Sequence, residues 1–244
     1  MIHVGYPAGK AGQIQVVDGL LSDTAAAFLS RVQVHWSESF QGNTLGGFTP
    51  AVKLSKDLYY GANTGLVWTE EDDAIEREIC NALTSAIAIY RQTYNHLNSW
   101  VNIEDSGFQV QRYEKNRGFY RVHVDAFPIP NSSISDRVLA AIIYFNDVAY
   151  GGETNFPLHE VKVAPKAGRI CLFPATFTHP HESCVPITSD KWIISTFILN
   201  RDTQPSVSHE HHDHTHDDHT HEPPPLIMGP MPEPFDYDEI IAAI

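Results

Sequence analysis

The stretch Phe119-Tyr120-Arg121-Val122-His123-Val124-Asp125-Ala126-Phe127 is rich in aromatic and β-branched residues and lacks the 3.6-residue period of a helix. It therefore predicts a β-strand. Because side chains of an extended strand alternate between its two faces, we expect His123 and Asp125 to lie on the same face. An imidazole nitrogen and a carboxylate oxygen on one face are a candidate pair of metal ligands.

A histidine and a lysine farther along the chain extend this pair into a candidate metal site. Two histidines and one carboxylate on one face of a metal leave three positions open, which suits non-haem Fe(II) oxygenases. The segment Thr178-His179-Pro180-His181 offers two histidines for the third ligand, and at this point either one fits. Lys191 opens an apolar strand, so an inward-facing lysine requires an anion, and alternation puts Ser195 on the same face.

The order of predicted elements indicates the fold class. A helix is predicted over 24–34, with Ser22 or Asp23 as its cap, and residues 35–63 look irregular. A longer helix is predicted to begin near Thr69, where four acidic residues complement the positive end of the helix dipole. Short strands are then predicted at 107–114, 119–127, 137–146, 160–164, 168–174, 178–185 and 191–199. Helices followed by many short strands predict an α+β protein with a barrel or sandwich.

Charge and histidine content set the end of the chain apart. The formal net charge is -14, but residues 202–244 hold ten acidic side chains and no lysine or arginine, so residues 1–201 are nearly balanced. Seven histidines lie among acids and threonines between Ser208 and His221. Such a composition cannot bury a core, so we expect one domain, 1–201, followed by a disordered tail, 202–244. Loose metal binding for iron delivery and a solvated spacer are both open roles for this tail.

The composition also argues against several partners and compartments. A basic excess is absent, so we do not expect a nucleic-acid binder. No apolar run reaches about 18 residues, so no membrane span is expected. Cys80, Cys171 and Cys184 have no paired spacing and the N-terminus lacks a signal-peptide pattern, so we expect a soluble protein of the reducing cytoplasm. The oligomeric state is not predicted by any of these patterns.

Residues 105–199 resemble the catalytic domain of the Fe(II)- and 2-oxoglutarate-dependent dioxygenases, in particular the prolyl 4-hydroxylase branch. The resemblance lies in the order and spacing of these blocks: Gln111-Arg112-Tyr113, His123-Val124-Asp125, Tyr144-Phe145-Asn146, Gly151-Gly152-Glu153-Thr154-x-Phe156, Pro165-x-x-Gly168, His181-x-x-Cys184-Val185-Pro186 and Lys191-Trp192. It implies a double-stranded β-helix, or jelly roll, with supporting N-terminal helices and iron at the barrel mouth.

The resemblance also implies which histidine completes the metal site. The family places its basic co-substrate residue ten positions after the second histidine ligand, and Lys191 lies ten positions after His181. The implied metal ligands are therefore His123, Asp125 and His181. His179 is then expected nearby, with a candidate role in supporting a ligand.

The same resemblance implies the residues that bind the co-substrate. Lys191 corresponds to the residue that pairs with the distal carboxylate of 2-oxoglutarate, and Ser195 lies on the same face. Tyr144 resembles the family tyrosine that hydrogen-bonds this carboxylate, and Tyr113 resembles a further contact. The alternative for either tyrosine is a core aromatic side chain with its hydroxyl at the rim.

The implied reaction is decarboxylation of 2-oxoglutarate to succinate and carbon dioxide, coupled to hydroxylation of a substrate C–H bond. The implied cofactors are Fe(II), 2-oxoglutarate and O2, with ascorbate as a candidate addition, and no general acid or base is expected. A prolyl residue in a peptide is the leading substrate, contacted by loops within 36–66 and 126–136. The alternatives are a small-molecule hydroxylase of the same family and a non-catalytic metal store or sensor, which would have no use for a buried lysine beside its metal.

Overall fold

The computed structural model describes residues 2–5, 12–21, 23–100, 102–129 and 132–201, so the expectations for Ser22 and for the tail at 202–244 lie outside this part. The described residues contain two α-helices, α1 (Thr24–His35) and α2 (Glu70–Thr93), close to the positions that the sequence predicts. Asp23 is the N-cap of α1, but its side chain makes no capping hydrogen bond. Neither helix is long and apolar enough to cross a lipid bilayer.

Strands make up most of the remaining regular structure. Those in the described residues are β1 (His3–Gly5), β2 (Gln15–Asp18), β3 (Phe40–Gln41), β4 (Lys53–Leu54), β5 (Lys56–Tyr60), β6 (Ile103–Asp105), β7 (Phe108–Tyr113), β8 (Phe119–His123), β9 (Arg137–Tyr144), β10 (Thr154–Phe156), β11 (Val161–Val163), β12 (Ile170–Pro174), β13 (His181–Ser183) and β14 (Lys191–Asn200).

The strands form two antiparallel sheets. The larger sheet has the order β1-β2-β12-β9-β14-β7-β5-β3, with β6 also paired to β14, and the smaller sheet has the order β11-β10-β13-β8-β4. From β7 to β14 the chain alternates between the two sheets, except for the hairpin of β10 and β11. This alternation is the topology of a double-stranded β-helix, or jelly roll.

The larger sheet is buried on both faces, which explains the nearly continuous apolar sequence of its central strands. On one face, Ile143 of β9 packs in a core that includes Phe28 of α1. On the opposite face, Ile142 and Tyr144 pack with Phe156 of the smaller sheet. Alternation along β9 thus separates a helix-facing core from an inter-sheet core.

The start of α2 ties the two helices to the sheet. Thr69 and Asp72 form a capping box, and the Asp72 carboxylate is fully buried. This carboxylate accepts hydrogen bonds from Arg31 (2.6 Å) and the Tyr60 hydroxyl (3.1 Å), and it contacts His35 at 3.0 Å. Burial raises the pKa of Asp72, but the Arg31 guanidinium and the other donors outweigh burial and hold it well below its usual range. Asp72, one of the four acidic residues in the first turn of α2, therefore links α1, α2 and β5 through its carboxylate.

The prediction of irregular structure at 35–63 was wrong for three short strands, β3, β4 and β5. These segments are two to five residues long, and pairing makes them strands: β4 pairs with β8, β5 with β7, and β3 with β5. The three-residue strand β10 was missed within the Gly151-Gly152-Glu153-Thr154-x-Phe156 block for the same reason. Periodicity is not detectable over so few residues, so tertiary pairing decides their conformation.

Candidate active site

A cavity of about 460 Å³ lies between side chains of the two sheets. Strands β7, β9 and β14 of the larger sheet contribute to its wall, as do β4, β8 and β13 of the smaller sheet. Its lining includes most of the residues that the sequence singles out: Tyr113, His123, Asp125, His181, Lys191 and Ser195. Tyr144 and His179 are the exceptions, because both lie outside the lining.

The three expected metal ligands converge in this cavity. His123 at the end of β8 is paired in register with His181 at the start of β13, and their ring centroids are 4.3 Å apart. The Nε2 atom of His123 lies 3.6 Å from one Asp125 carboxylate oxygen, and that of His181 lies 3.5 Å from the other. One ligand atom from each residue lies within 4.8 Å of the other two, so a single ion fits among them.

Asp125 reaches this position by a route that the sequence did not predict. The predicted strand at 119–127 was too long, because β8 ends at His123 and Asp125 lies in a bend. The backbone N–H groups of Asp125 and Ala126 both donate to the carbonyl oxygen of Ala175, at 3.0 and 2.9 Å. A loop fixed to the end of β12, rather than strand alternation, therefore orients this carboxylate.

Backbone carbonyl groups set the tautomer of both histidines. Nδ1 of His123 lies 2.8 Å from the Arg121 carbonyl oxygen, and Nδ1 of His181 lies 3.1 Å from the His179 carbonyl oxygen. Because a carbonyl oxygen only accepts, each Nδ1 must carry the proton, which leaves the Nε2 lone pair free for a metal. Burial lowers the pKa of His181 to about 4 and keeps it neutral. The donor set therefore fits a divalent iron ion.

The Asp125 carboxylate remains ionised in this setting. Burial raises its pKa, but the neighbouring His181 and His123 outweigh burial, so the net shift is downward. An ionised carboxylate supplies the negative charge that a divalent cation needs.

The ring of His179 lies outside the group of metal ligands. It is buried, its Nδ1 lies 2.9 Å from the Thr178 hydroxyl, and it stacks on His159 with ring centroids 4.3 Å apart. The contribution of His179 to the site is its backbone carbonyl, which accepts from His181. The structure thus brings His181, and not His179, beside Asp125.

Lys191 places a cation in the same cavity. Its side chain is fully buried, and Nζ donates to the Gly152 carbonyl oxygen (2.9 Å) and to the Ser183 hydroxyl. Nζ also lies 4.5 Å from the centroid of the Tyr113 ring. In the described part of the chain, no carboxylate oxygen lies within 4.0 Å of this ammonium group, and burial lowers its pKa to about 7. An anion bound beside this group favours its charged form and supplies the counter-ion that the described residues do not place within 4.0 Å.

Two consecutive glycines position the carbonyl oxygen that accepts a hydrogen bond from Lys191. Gly151 and Gly152 have φ values of +74° and +75°, which favour glycine strongly. A Cβ atom on Gly151 would also clash with the carbonyl oxygen of Val185. The tight turn presents the Gly152 carbonyl to the lysine, which explains the Gly-Gly pair in this block.

A chain of hydrogen bonds runs beside Lys191. The Tyr113 hydroxyl donates to Gln111 (2.7 Å), and the Gln111 amide donates to the Ser195 hydroxyl (2.9 Å). Tyr113 and Ser195 therefore present polar groups to the cavity. The Tyr144 hydroxyl instead forms a hydrogen bond with the Thr154 hydroxyl (2.6 Å), and Thr154 rather than Tyr144 lines the cavity. A direct contact between Tyr144 and the co-substrate therefore stays a prediction.

The lining residues Gln111, Ser183 and Thr154 were not among the predicted site residues, although strand parity could have found the first two. Gln111 lies two residues before Tyr113, and Ser183 lies two residues after His181, so each shares a face with a predicted site residue. Thr154 lies in the strand that was not predicted.

Two further residues border the metal ligands. The Tyr120 ring stacks on His123 with centroids 3.6 Å apart and an interplanar angle of 16°. Arg137 donates from Nη1 to the Asp125 carbonyl oxygen (2.9 Å), while its Nε is buried without a hydrogen-bond partner. No sequence signal singles out these two side chains, because their roles depend on β8 and β9 meeting across the cavity.

Comparison with known sequences supports the reading of the strand-rich half. The family model of the 2OG-Fe(II) oxygenase superfamily matches residues 108–199. A curated relative, probable prolyl 4-hydroxylase 9 from Arabidopsis thaliana, is 30% identical over 123 residues, which are 40% of this chain and 42% of the relative. The match thus spans less than half of that relative's length.

Solved structures share the fold at low sequence identity. A prolyl hydroxylase from Trichoplax adhaerens, in complex with a peptide fragment of the hypoxia inducible factor oxygen degradation domain, has a TM-score of 0.62 at 16% identity, over 77% of this chain and 84% of that one. A Pseudomonas putida prolyl-4-hydroxylase has a TM-score of 0.55 at 17% identity, over 78% and 95% of the two chains. The viral collagen prolyl hydroxylase of Paramecium Bursaria Chlorella virus-1 has a TM-score of 0.54 at 17% identity, over 80% and 99%.

Proposed function

We propose that this chain, whose residues 108–199 match the family model of the 2OG-Fe(II) oxygenase superfamily, is an iron- and 2-oxoglutarate-dependent dioxygenase that hydroxylates a peptidyl proline. Succinate and carbon dioxide are the products from the co-substrate. One observation carries the proposal: two histidines and one carboxylate, close enough together to hold one ion, share a cavity with a buried lysine that has no acidic partner within 4.0 Å among the described residues.

Each group in the cavity has a defined task in this reaction. His123, Asp125 and His181 hold Fe(II), which supplies the oxidation of 2-oxoglutarate by O2 and the hydroxylation of the substrate. Lys191 binds the distal carboxylate of 2-oxoglutarate as an ion pair, and Ser195 adds a hydrogen bond. Apolar side chains of β9 and β14 exclude water from the reacting groups.

The tyrosines act as neutral donors in this proposal. Burial raises the pKa of Tyr113 and of Tyr144 well above the usual range, so both hydroxyls keep their protons at any physiological pH. Tyr113 can then donate to the co-substrate, and Tyr144 orients Thr154 or reaches the same carboxylate. Neither tyrosine acts as a general acid or base. Ascorbate is proposed as a candidate additional cofactor.

The substrate end of the cavity supports a peptide over a small molecule. Leu45 and Phe127 line the cavity and are 62% and 38% exposed, so an apolar rim extends to the surface. The relatives named above are prolyl hydroxylases, and one of them is in complex with a peptide. A small-molecule hydroxylase is the second candidate, since the lining itself does not encode proline.

A metal store or sensor is less well supported. Such a protein has no use for a buried ammonium group in the cavity of the metal, because two like charges disfavour each other. Lys191 therefore distinguishes the two classes.

The remaining assignments are also proposals. Residues 1–201 are proposed as the catalytic domain and 202–244 as a disordered appendage. Neither nucleic acid nor a membrane is proposed as a partner. A cytoplasmic location is proposed because Cys80, Cys171 and Cys184 are all free thiols.

The test is turnover of the full chain loaded with Fe(II) and 2-oxoglutarate, offered a panel of proline-containing peptides. We expect succinate release matched by a mass gain of one oxygen atom, and loss of both when 4-hydroxyproline replaces proline. His181→Ala is the matched inactive control. Succinate without mass gain in any peptide, but with oxidation of a small molecule, would favour the second candidate. Tight iron binding without succinate would favour the metal store.

A further inference from the structure

A buried ion pair lies at the corner where the chain crosses between the two sheets. β4 belongs to the smaller sheet and β5 to the larger one, with Ser55 as the single residue between them. The Lys53 ammonium lies 2.7 Å from the Asp57 carboxylate, and the Ser55 hydroxyl donates to the other carboxylate oxygen at 2.7 Å. The side chain of Lys53 is 2% exposed and that of Asp57 is 0% exposed. The pair therefore joins the two sheets at one side of the cavity.

On one side, this corner contacts Tyr120, which stacks on the proposed metal ligand His123. Lys53 is paired in register with Tyr120 across β4 and β8, and its Nζ lies 5.3 Å from the centroid of the Tyr120 ring. A cation at this distance attracts the face of an aromatic ring. Tyr120 in turn stacks on His123. The pair thus holds the ring that covers a metal-binding imidazole.

On its other side, the corner contacts the loop at 42–47. The Gly42 N–H donates to the Ser55 carbonyl oxygen at 2.9 Å, and a Cβ atom on Gly42 would clash with the Ser55 hydroxyl and lie 3.0 Å from the Asp57 carboxylate. Backbone hydrogen bonds between Thr44 and Gly47 in both directions close the loop into a small hairpin. The tip of this hairpin, including Leu45, lines the mouth of the cavity.

Net stability does not explain a buried ion pair, because apolar residues of similar volume are often as stable or more stable. A fixed geometry is what such a pair supplies. We propose that Lys53 and Asp57 are a positioning pair that fixes two walls of the substrate end of the cavity, the loop at 42–47 and the Tyr120 ring. This inference rests on the proposed peptide hydroxylation and adds to it the residues that control peptide binding, as distinct from co-substrate binding.

The test uses the full chain with both charges replaced, as Lys53→Met with Asp57→Leu, so that no buried charge is left unpaired. A second variant, Gly42→Ala, keeps both charges but places a Cβ atom against the Ser55 hydroxyl and the Asp57 carboxylate, so it disturbs the contact between the pair and the start of the loop. We expect the peptide KM to rise by about tenfold or more in both, since small misplacements at a site have large effects. The Kd of 2-oxoglutarate, measured with Mn(II) in place of iron, should stay within about twofold, because Lys191 is not part of this corner.

Hydrogen exchange supplies a readout that does not depend on turnover. In protein without substrate, the amides of 42–47 should exchange at least about tenfold faster in both variants, while the amides of β9 stay protected. Asp18→Asn is the matched control, because it breaks the Asp18–Arg169 ion pair (2.8 Å) outside the cavity and should change neither exchange at 42–47 nor the peptide KM.

The outcomes separate this inference from the proposed function. If the wild-type protein hydroxylates no peptide, the proposed function fails, and the exchange measurement alone decides whether the pair positions the loop. If the double variant does not fold, Gly42→Ala decides. Unchanged exchange at 42–47 with an unchanged peptide KM would overturn the positioning role. An equal loss of peptide and 2-oxoglutarate binding would also overturn it, because the effect would then not be confined to the substrate end.

Discussion

Replacement of Lys191 by methionine should weaken 2-oxoglutarate binding while leaving metal binding intact. The ammonium group is fully buried, and the described residues place no carboxylate within 4.0 Å of it, so the co-substrate supplies its counter-ion. Removing one partner of a buried ion pair costs about 3–5 kcal/mol, which raises the Kd by roughly a hundredfold to a few thousandfold. The metal ligands His123, Asp125 and His181 are unchanged in this variant.

The pH dependence of this loss follows from the pKa of Lys191. Burial lowers it from 10.5 to about 7, whereas the bound dicarboxylate raises it again. Below pH 7 the free protein already carries the charge, so binding needs no proton. Above pH 7 binding must take up a proton, so the affinity of the wild-type protein should fall as pH rises. Between pH 6 and pH 8 the wild-type Kd should rise by about tenfold, and the advantage over Lys191→Met should shrink by the same factor.

Calorimetric titration of 2-oxoglutarate into Mn(II)-loaded protein at pH 6, 7 and 8 measures the Kd of the wild-type protein and of the Lys191→Met variant. Lys191→Arg is the matched control, because arginine keeps its charge throughout this range and should give a Kd with little pH dependence. The reasoning would be refuted if the methionine variant bound 2-oxoglutarate as tightly as the wild-type protein. A parallel loss of Mn(II) affinity would mean that the variant disturbs the metal site instead.

Three further predictions concern the metal site, the helix junction and the tail. His181→Ala should lose Mn(II) binding in a metal titration, whereas His179→Ala should retain it, because only the backbone carbonyl of His179 supports a ligand. Asp72→Asn should lower the free energy of unfolding in urea by about 3 kcal/mol at pH 7, and this difference should shrink below about pH 4, since a lowered pKa gives stability that is lost as pH falls. Truncation after Arg201 should leave the unfolding midpoint and turnover at saturating iron unchanged, and a slower rate there would contradict a dispensable tail.

Some assignments required only local patterns. The helix start at Thr69 was predictable, because a capping residue followed by acids satisfies the free N–H groups of the first turn. The inward face of β14 was predictable from alternation, which puts Lys191 and Ser195 in one cavity. Even so, the buried role of Asp72 was not visible, because Arg31, His35 and Tyr60 reach it from distant parts of the chain.

The sequence by itself indicated an α+β protein with a barrel or sandwich and an inward-facing Lys191, because residue patterns and strand parity act over a few neighbouring positions. Its resemblance to the dioxygenases implied the jelly roll and the metal ligands His123, Asp125 and His181. Only the tertiary structure decided that the Ala175 carbonyl holds Asp125 beside His123 and His181, and that the Tyr144 hydroxyl bonds Thr154 outside the cavity lining. It also decided that Lys53 and Asp57 join the two sheets beside the cavity. These contacts depend on segments that are far apart in sequence, whose distances are fixed only when the two sheets pack against each other.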